Sequence, residues 1–122
     1  MTDDAGDVYV SFVAPAYNEV ENLPALIEEV GKAAAAIGRP WEFIIVDDGS
    51  TDGSVELLRG RMADLPQLRV ILMKANSGQT AALEAGLRAV RGEMVATMDA
   101  DLQNDPAELP RMLACVERGE CD

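Results

Sequence analysis

Apolar and polar positions fall in blocks along this chain, and the period changes from block to block. Val8 to Ala14 is apolar and rich in β-formers, which predicts a first strand. Pro15-Ala16-Tyr17-Asn18-Glu19 breaks it. From Val20 to Ile37 the spacing turns helical, with Leu23, Leu26, Ile27 and Val30 on one face. Asn22, before Leu23-Pro24, is placed to cap that helix, and Asn18 competes for the role. Gly38-Arg39-Pro40 is a turn. Trp41 to Val46 is a second strand, close to unbroken in its apolar character, as in a parallel sheet covered on both faces. A polar turn full of cap formers, Asp47-Asp48-Gly49-Ser50-Thr51-Asp52, follows. Val55 to Met62 predicts a short helix with Val55, Leu58 and Met62 inward, Leu68 to Met73 a third strand, and Asn76 to Gln79 a loop. Thr80 to Val90 predicts a helix of small residues (Ala81, Ala82, Ala85, Gly86, Ala89), a surface that lies close against a sheet. Gly92 stops it, and Met94 to Met98 is a fourth strand.

That fourth strand ends in two carboxylates one residue apart, Asp99 and Asp101. Beyond them, Asp105-Pro106-Ala107-Glu108 carries a cap, a proline at the first helical position and a glutamate three residues after the cap. A last helix is expected from Leu109 to Val116. Two carboxylates so close repel each other unless a cation lies between them and a ligand. Hard divalent cations such as Mg²⁺ or Mn²⁺ take oxygen ligands and bridge carboxylates to substrate phosphates.

Four strand–helix units in succession predict a three-layer α/β fold with a mostly parallel sheet. The polar turns after strands one, two and four then share one edge, the edge where open α/β sheets bind ligands. Alone, Asp-Asp-Gly-Ser is a turn and Asp-x-Asp a solvated loop or a cap; together on one edge they point to a site. A calcium loop does not fit, because Asn104 stands where glycine is needed and Pro110 where a bidentate glutamate is needed. There is no Gly-x-Gly-x-x-Gly in the first turn and no Gly-Lys-Ser/Thr P-loop.

At 122 residues the chain makes one small domain, residues 8–122 after a seven-residue acidic tail, and 48% hydrophobic residues supply a core. A net charge of −12 argues against nucleic acid and against an anionic membrane surface. It leaves metal, backbone N–H groups and a few cations to hold any phosphate. No histidine is present, so His–Zn sites and histidine triads are excluded. No signal peptide or membrane-spanning run is visible, and Cys115 and Cys121 lack a metal-ligand pattern, so reduced thiols in a cytoplasmic setting are expected.

Four segments, Pro15–Glu19, Val46–Asp52, Asn76–Leu83 and Met98–Gln103, stand in an order that resembles the N-terminal half of an inverting family 2 glycosyltransferase of the GT-A fold. The extended Asp-Ala-Asp-Leu-Gln-Asn-Asp-Pro form is most similar to the polyprenyl-phosphate branch, the dolichol-phosphate mannosyltransferases among them. The resemblance implies a UDP- or GDP-sugar donor, a polyprenyl-phosphate acceptor and Mg²⁺ or Mn²⁺. It implies that Pro15, Tyr17 and Glu19 line the nucleoside pocket and that Asp47 or Asp48 accepts a base N–H. Asp99 and Asp101 would hold the metal, with Ala100 and Asp99 near the nucleotide and Gln103 a further metal or phosphate contact. Gly78, at a helix start, would help shape the same pocket. Catalytic residues are expected beyond Asp122, as are acceptor-binding parts and any contact with the cytoplasmic face of a membrane.

Two other classes compete. A non-catalytic nucleotide-binding module would need only the donor half. A sugar nucleotidyltransferase shares the broad architecture but should carry a glycine-rich, basic loop after strand one, which Pro15 to Glu19 lacks. The chain by itself is expected to transfer no sugar, since a wall for the acceptor must come from later sequence. An open edge at strand four would favour self-association, including a homodimer.

Overall fold

A computed structural model describes residues 8–98. The acidic pair Asp99 and Asp101, Ala100, Gln103, the predicted cap at Asp105, the helix expected from Leu109, both cysteines and the N-terminal tail lie outside the described residues.

Among the described residues four parallel strands alternate with three helices: β1 (Val10–Ala16), α1 (Leu23–Ile37), β2 (Trp41–Asp47), α2 (Ser54–Asp64), β3 (Leu68–Leu72), α3 (Gln79–Arg88) and β4 (Met94–Thr97). The sheet order is β3-β2-β1-β4. β1 and β2 sit in the middle and are buried almost throughout, which is why both read as continuous apolar runs. Their side chains alternate between two layers. Phe12, Ala14, Phe43 and Ile45 face α1 and α2, where Leu23, Leu26, Ile27, Val30 and Leu58 complete the larger core. Val13, Ile44 and Val46 face α3 and pack with Ala82 in the smaller one. The three-layer expectation holds.

The small residues of α3 let it sit down on the sheet. A Cβ at Gly86 would meet Val13 Cγ1 at 2.6 Å and Val46 Cγ2 at 3.0 Å, so only glycine fits there. All four residues expected on the inner face of α1 are buried. The helix starts at Leu23, three residues later than its apolar spacing predicts. Asn22 occupies the N-cap but makes no capping bond; its amide turns back to Glu19 Oε1 at 2.8 Å. In α2 the expectation for Met62 fails. Met62 is exposed, and Leu57 and Leu65 pack against the core beside the buried Leu58.

β1 also runs two residues further than predicted, through Pro15 and Ala16. Proline in a central strand has a positional reason here. The carbonyl of Val13 accepts from Met98 N–H at 3.0 Å, so residue 13 faces β4, and so by alternation does residue 15. Pro15 has no N–H to give on that side, and among the described residues the β1–β4 ladder runs as far as Val13 and Thr97.

Candidate functional site

From β1 the chain winds outward in one direction, to β2 and then β3; after α3 it returns across the sheet to place β4 on the other side of β1. The reversal lies between β1 and β4. In doubly wound sheets the crevice outside the carboxyl ends of the strands at such a reversal is where ligands bind. Here those ends are Ala16 and Thr97, so the predicted Pro15–Glu19 segment and Met98 lie at that edge.

Three loops converge on this edge, and hydrogen bonds tie each to the next. Asn18, in the left-handed region at φ 53°, donates its N–H to Ser50 Oγ at 2.8 Å. Its Oδ1 accepts from Thr51 N–H at 2.8 Å. Asparagine tolerates that conformation better than most side chains. Asp52 adds a third link, accepting from Val20 N–H at 3.1 Å and from the Ser54 hydroxyl at 2.6 Å. Burial disfavours the charged form of Asp52, but the bonds from Ser54 and Val20 outweigh it and hold the carboxyl below its ordinary range.

The second and third loops are joined by Asp48. Both of its oxygens accept backbone N–H groups, Oδ1 from Ser77 and Oδ2 from Gly78, each at 2.8 Å. The carboxylate therefore occupies the start of α3, the place a helix offers to an anion. Gly49 closes the contact. Its φ is +84°, and a Cβ on it would lie 2.8 Å from Asn76 N.

Of the residues the sequence proposes, Pro15 is buried in β1, Tyr17 stands out at 45% exposure and Glu19 is half-buried beside Asn22. Asp47 and Asp48 are both buried side by side at the end of β2. Gly78 is brought to the same edge, with its N–H committed to Asp48. Asp47 differs from its neighbour. Its Oδ2 accepts from Ser50 N–H at 2.9 Å, while Oδ1 is buried and finds no hydrogen-bond partner among the described residues. A buried carboxylate oxygen left unpaired is costly unless something else supplies a donor. Among the described residues no cluster of three carboxylates, cysteines or histidines could hold a metal. The metal roles expected of Asp99, Asp101 and Gln103 fall on residues that are not described.

The loop-tying roles of Asn18, Ser50 and Asp52 were not visible in the sequence, because their partners lie about 32 residues away in the chain. The only local signal was the density of cap-forming residues on both sides.

Residues 11–122 match the family described as Glycosyl transferase family 2. The chain belongs to that family. Among its relatives are proteins named undecaprenyl-phosphate 4-deoxy-4-formamido-L-arabinose transferase. The one from Pectobacterium carotovorum is 47% identical over 98% of this chain, and the one from Yersinia enterocolitica 46% identical over 90%. The chain spans only 36% and 34% of those two proteins. Solved structures share the GT-A fold. S. aureus TarS aligns with a TM-score of 0.74 at 22% identity, over 91% of this chain and 33% of TarS. The mannosyltransferase PcManGT of Pyrobaculum calidifontis, solved with GDP-Man and Mn²⁺, aligns with a TM-score of 0.73 at 25% identity, over 85% of this chain and 31% of its own.

Proposed function

We propose that this family 2 domain is the donor-binding part of an inverting glycosyltransferase that moves a sugar from a UDP- or GDP-sugar to a polyprenyl phosphate, with a divalent metal on the diphosphate. One observation carries the nucleotide reading: a buried carboxylate, Asp47, keeps an unpartnered oxygen at the ligand-binding edge of the sheet. The Asp47–Asp48 corner has the character a base imide or amide N–H requires, an acceptor held out of water. Asp47 Oδ1 is free to accept, and each oxygen of Asp48 retains a lone pair beyond its backbone bond. Pro15 lies near the end of β1, and Tyr17 and Glu19 on the loop that follows it, with Tyr17 exposed to stack on a ring.

The named relatives support the acceptor, and the Mn²⁺ complex of PcManGT supports the metal. Asp99 and Asp101 supply hard oxygen donors suited to Mg²⁺ or Mn²⁺, with Gln103 beside them and Ala100 between them. The metal would stabilise the charge that develops on the departing diphosphate. In the transfer, the bond from the anomeric carbon to the diphosphate oxygen breaks and one to the acceptor phosphate oxygen forms. That oxygen is already anionic near neutrality, so little general-base help is needed.

Calorimetry of the intact protein with UDP and GDP, with Mn²⁺ and then with EDTA, tests this reading. Nucleoside diphosphate affinity should depend on the metal, and Asp101→Asn should weaken it more than Asp105→Asn. Asp47→Asn and Asp48→Asn should weaken the nucleoside without phosphate. Equal affinity in EDTA would remove the metal role. Radiolabelled sugar should enter a lipid-extractable, acid-labile product; label confined to saccharide or protein hydroxyls would replace the polyprenyl acceptor with a saccharide one.

A further inference from the structure

β4 is the shortest of the four strands, and among the described residues it pairs only with β1. Four residues of ladder are weak insurance against a shift, and a slip of one would turn every side chain to the opposite face. The segment just before β4 is fastened by something the apolar reading of β2 passed over. Glu42 is 2% exposed, in the middle of an otherwise apolar strand. Its Oε2 accepts from the Ser11 hydroxyl at 2.6 Å and from Arg91 N–H at 2.8 Å. The Ser11 oxygen in turn accepts from Gly92 N–H at 2.9 Å. The consecutive N–H groups of Arg91 and Gly92 thus end on one serine–glutamate pair. Two guanidinium groups balance the charge, Arg69 Nη1 at 2.8 Å and Arg91 Nε at 3.2 Å, both on Oε1. Gly92 approaches so closely that a Cβ would lie 2.8 Å from Ser11 N.

All four strands are represented or adjoined: Ser11 in β1, Glu42 in β2, Arg69 in β3 and the approach to β4. We propose that Glu42 is a positioning residue that fixes the register of β4, and with it the position of Met98 on the far side of β1 from the Asp47–Asp48 corner. The register it sets is Val10 opposite Met94 through Val13 opposite Thr97. An ion pair alone would not need to take the Arg91 N–H as well, nor to hold the serine that takes the next N–H, at the mouth of one strand. The register role stands on the described geometry. Its effect on metal binding rests on the proposed function, because Asp99 is the next residue after Met98.

The test compares wild type with Glu42→Gln in the intact protein, reading residue-resolved amide hydrogen exchange. Met94 and Met98 report on β4, since they donate to Tyr9 and Val13 carbonyls; Phe43 and Met73 report on β2 and β3. Exchange at Met94 and Met98 should accelerate several-fold while Phe43 and Met73 keep their rates. In parallel, the Mn²⁺-dependent part of nucleoside diphosphate affinity should fall by roughly tenfold or more, with free nucleoside affinity unchanged. Unchanged exchange at Met94 and Met98 would overturn the proposal, as would equal acceleration at all four. If Glu42→Gln does not fold, Ser11→Ala decides by the same readout, since it removes the acceptor for Gly92 N–H and the serine bond to Glu42 while leaving the bonds of Glu42 to Arg69 and Arg91 in place. Should wild type show no metal-dependent binding, the proposed function fails and the exchange result still decides the register role.

Discussion

Asp47 and Asp48 are chemically identical neighbours, and the fold gives them different work. Asp48 bonds the N–H groups that lead into α3, so Asp48→Ala strands two donors and should cost about 1–3 kcal/mol in urea unfolding. Asp48→Asn keeps one acceptor oxygen and should lose less. Gly49→Ala should destabilise through a different cause: a left-handed φ and a Cβ driven against the Ala75–Asn76 backbone, about 1–3 kcal/mol together. The chain itself shows Asp-Asp-Gly-Ser as a turn and as a candidate acceptor. It does not show which aspartate ties the loops, because Ser77 and Gly78 are 29 and 30 residues further along. The same distance hides Glu42. In the sequence the strand reads as apolar and covered on both faces, and nothing in it shows that its one charge meets Arg69 and Arg91.

Among the elements, the strongly periodic ones were the most legible. α1 buries every residue its spacing selects, whereas α2 has a weak apolar stripe and its Met62 points outward. Leu58 is its main anchor, fully buried, and Leu58→Ala should cost about 2–5 kcal/mol, while Met62→Ala should stay within about 0.5 kcal/mol. In α3 the run of alanines and glycine is enough to imply a close approach to the sheet, and Gly86 makes that approach against Val13 and Val46. Gly86→Ala, which improves helix propensity on paper, should nevertheless lower stability by about 1–3 kcal/mol, because the new methyl meets those two side chains. Thermal unfolding of the two α3 variants Gly86→Ala and Leu87→Ala separates packing from propensity, since Leu87 is exposed. Strand ends were the least legible part. The end of β1 is set by its pairing with β2, which continues to Ala16 and Asp47, and in the sequence alone Pro15 reads as a breaker.

At the scale of the whole molecule, the alternation of strands and helices fixes the layers, but strand order is a property of crossings that no local pattern records. The buried charge of Glu42 also shows itself at this scale, as acid sensitivity. Burial would raise its pKa, but the Ser11 hydroxyl, the Arg91 N–H and Arg69 outweigh burial and hold it below the usual glutamate value. A carboxyl whose folded pKa is depressed contributes stability above its unfolded value, about 4.3, and loses it as the pH falls through the lower folded one. Urea midpoints from about pH 6 down to about pH 3 should therefore fall less steeply in Glu42→Gln than in wild type. The order β3-β2-β1-β4 carries one more consequence, for the time course of assembly. Ser11 finds Glu42 across 31 residues but Gly92 only across 81. Closing the longer loop costs about 0.9 kcal/mol more in chain entropy. On a ribosome, β1, β2 and β3 can come together while β4 is still unmade, and the crevice proposed to take the donor beside β1 forms only once β4 has been threaded home.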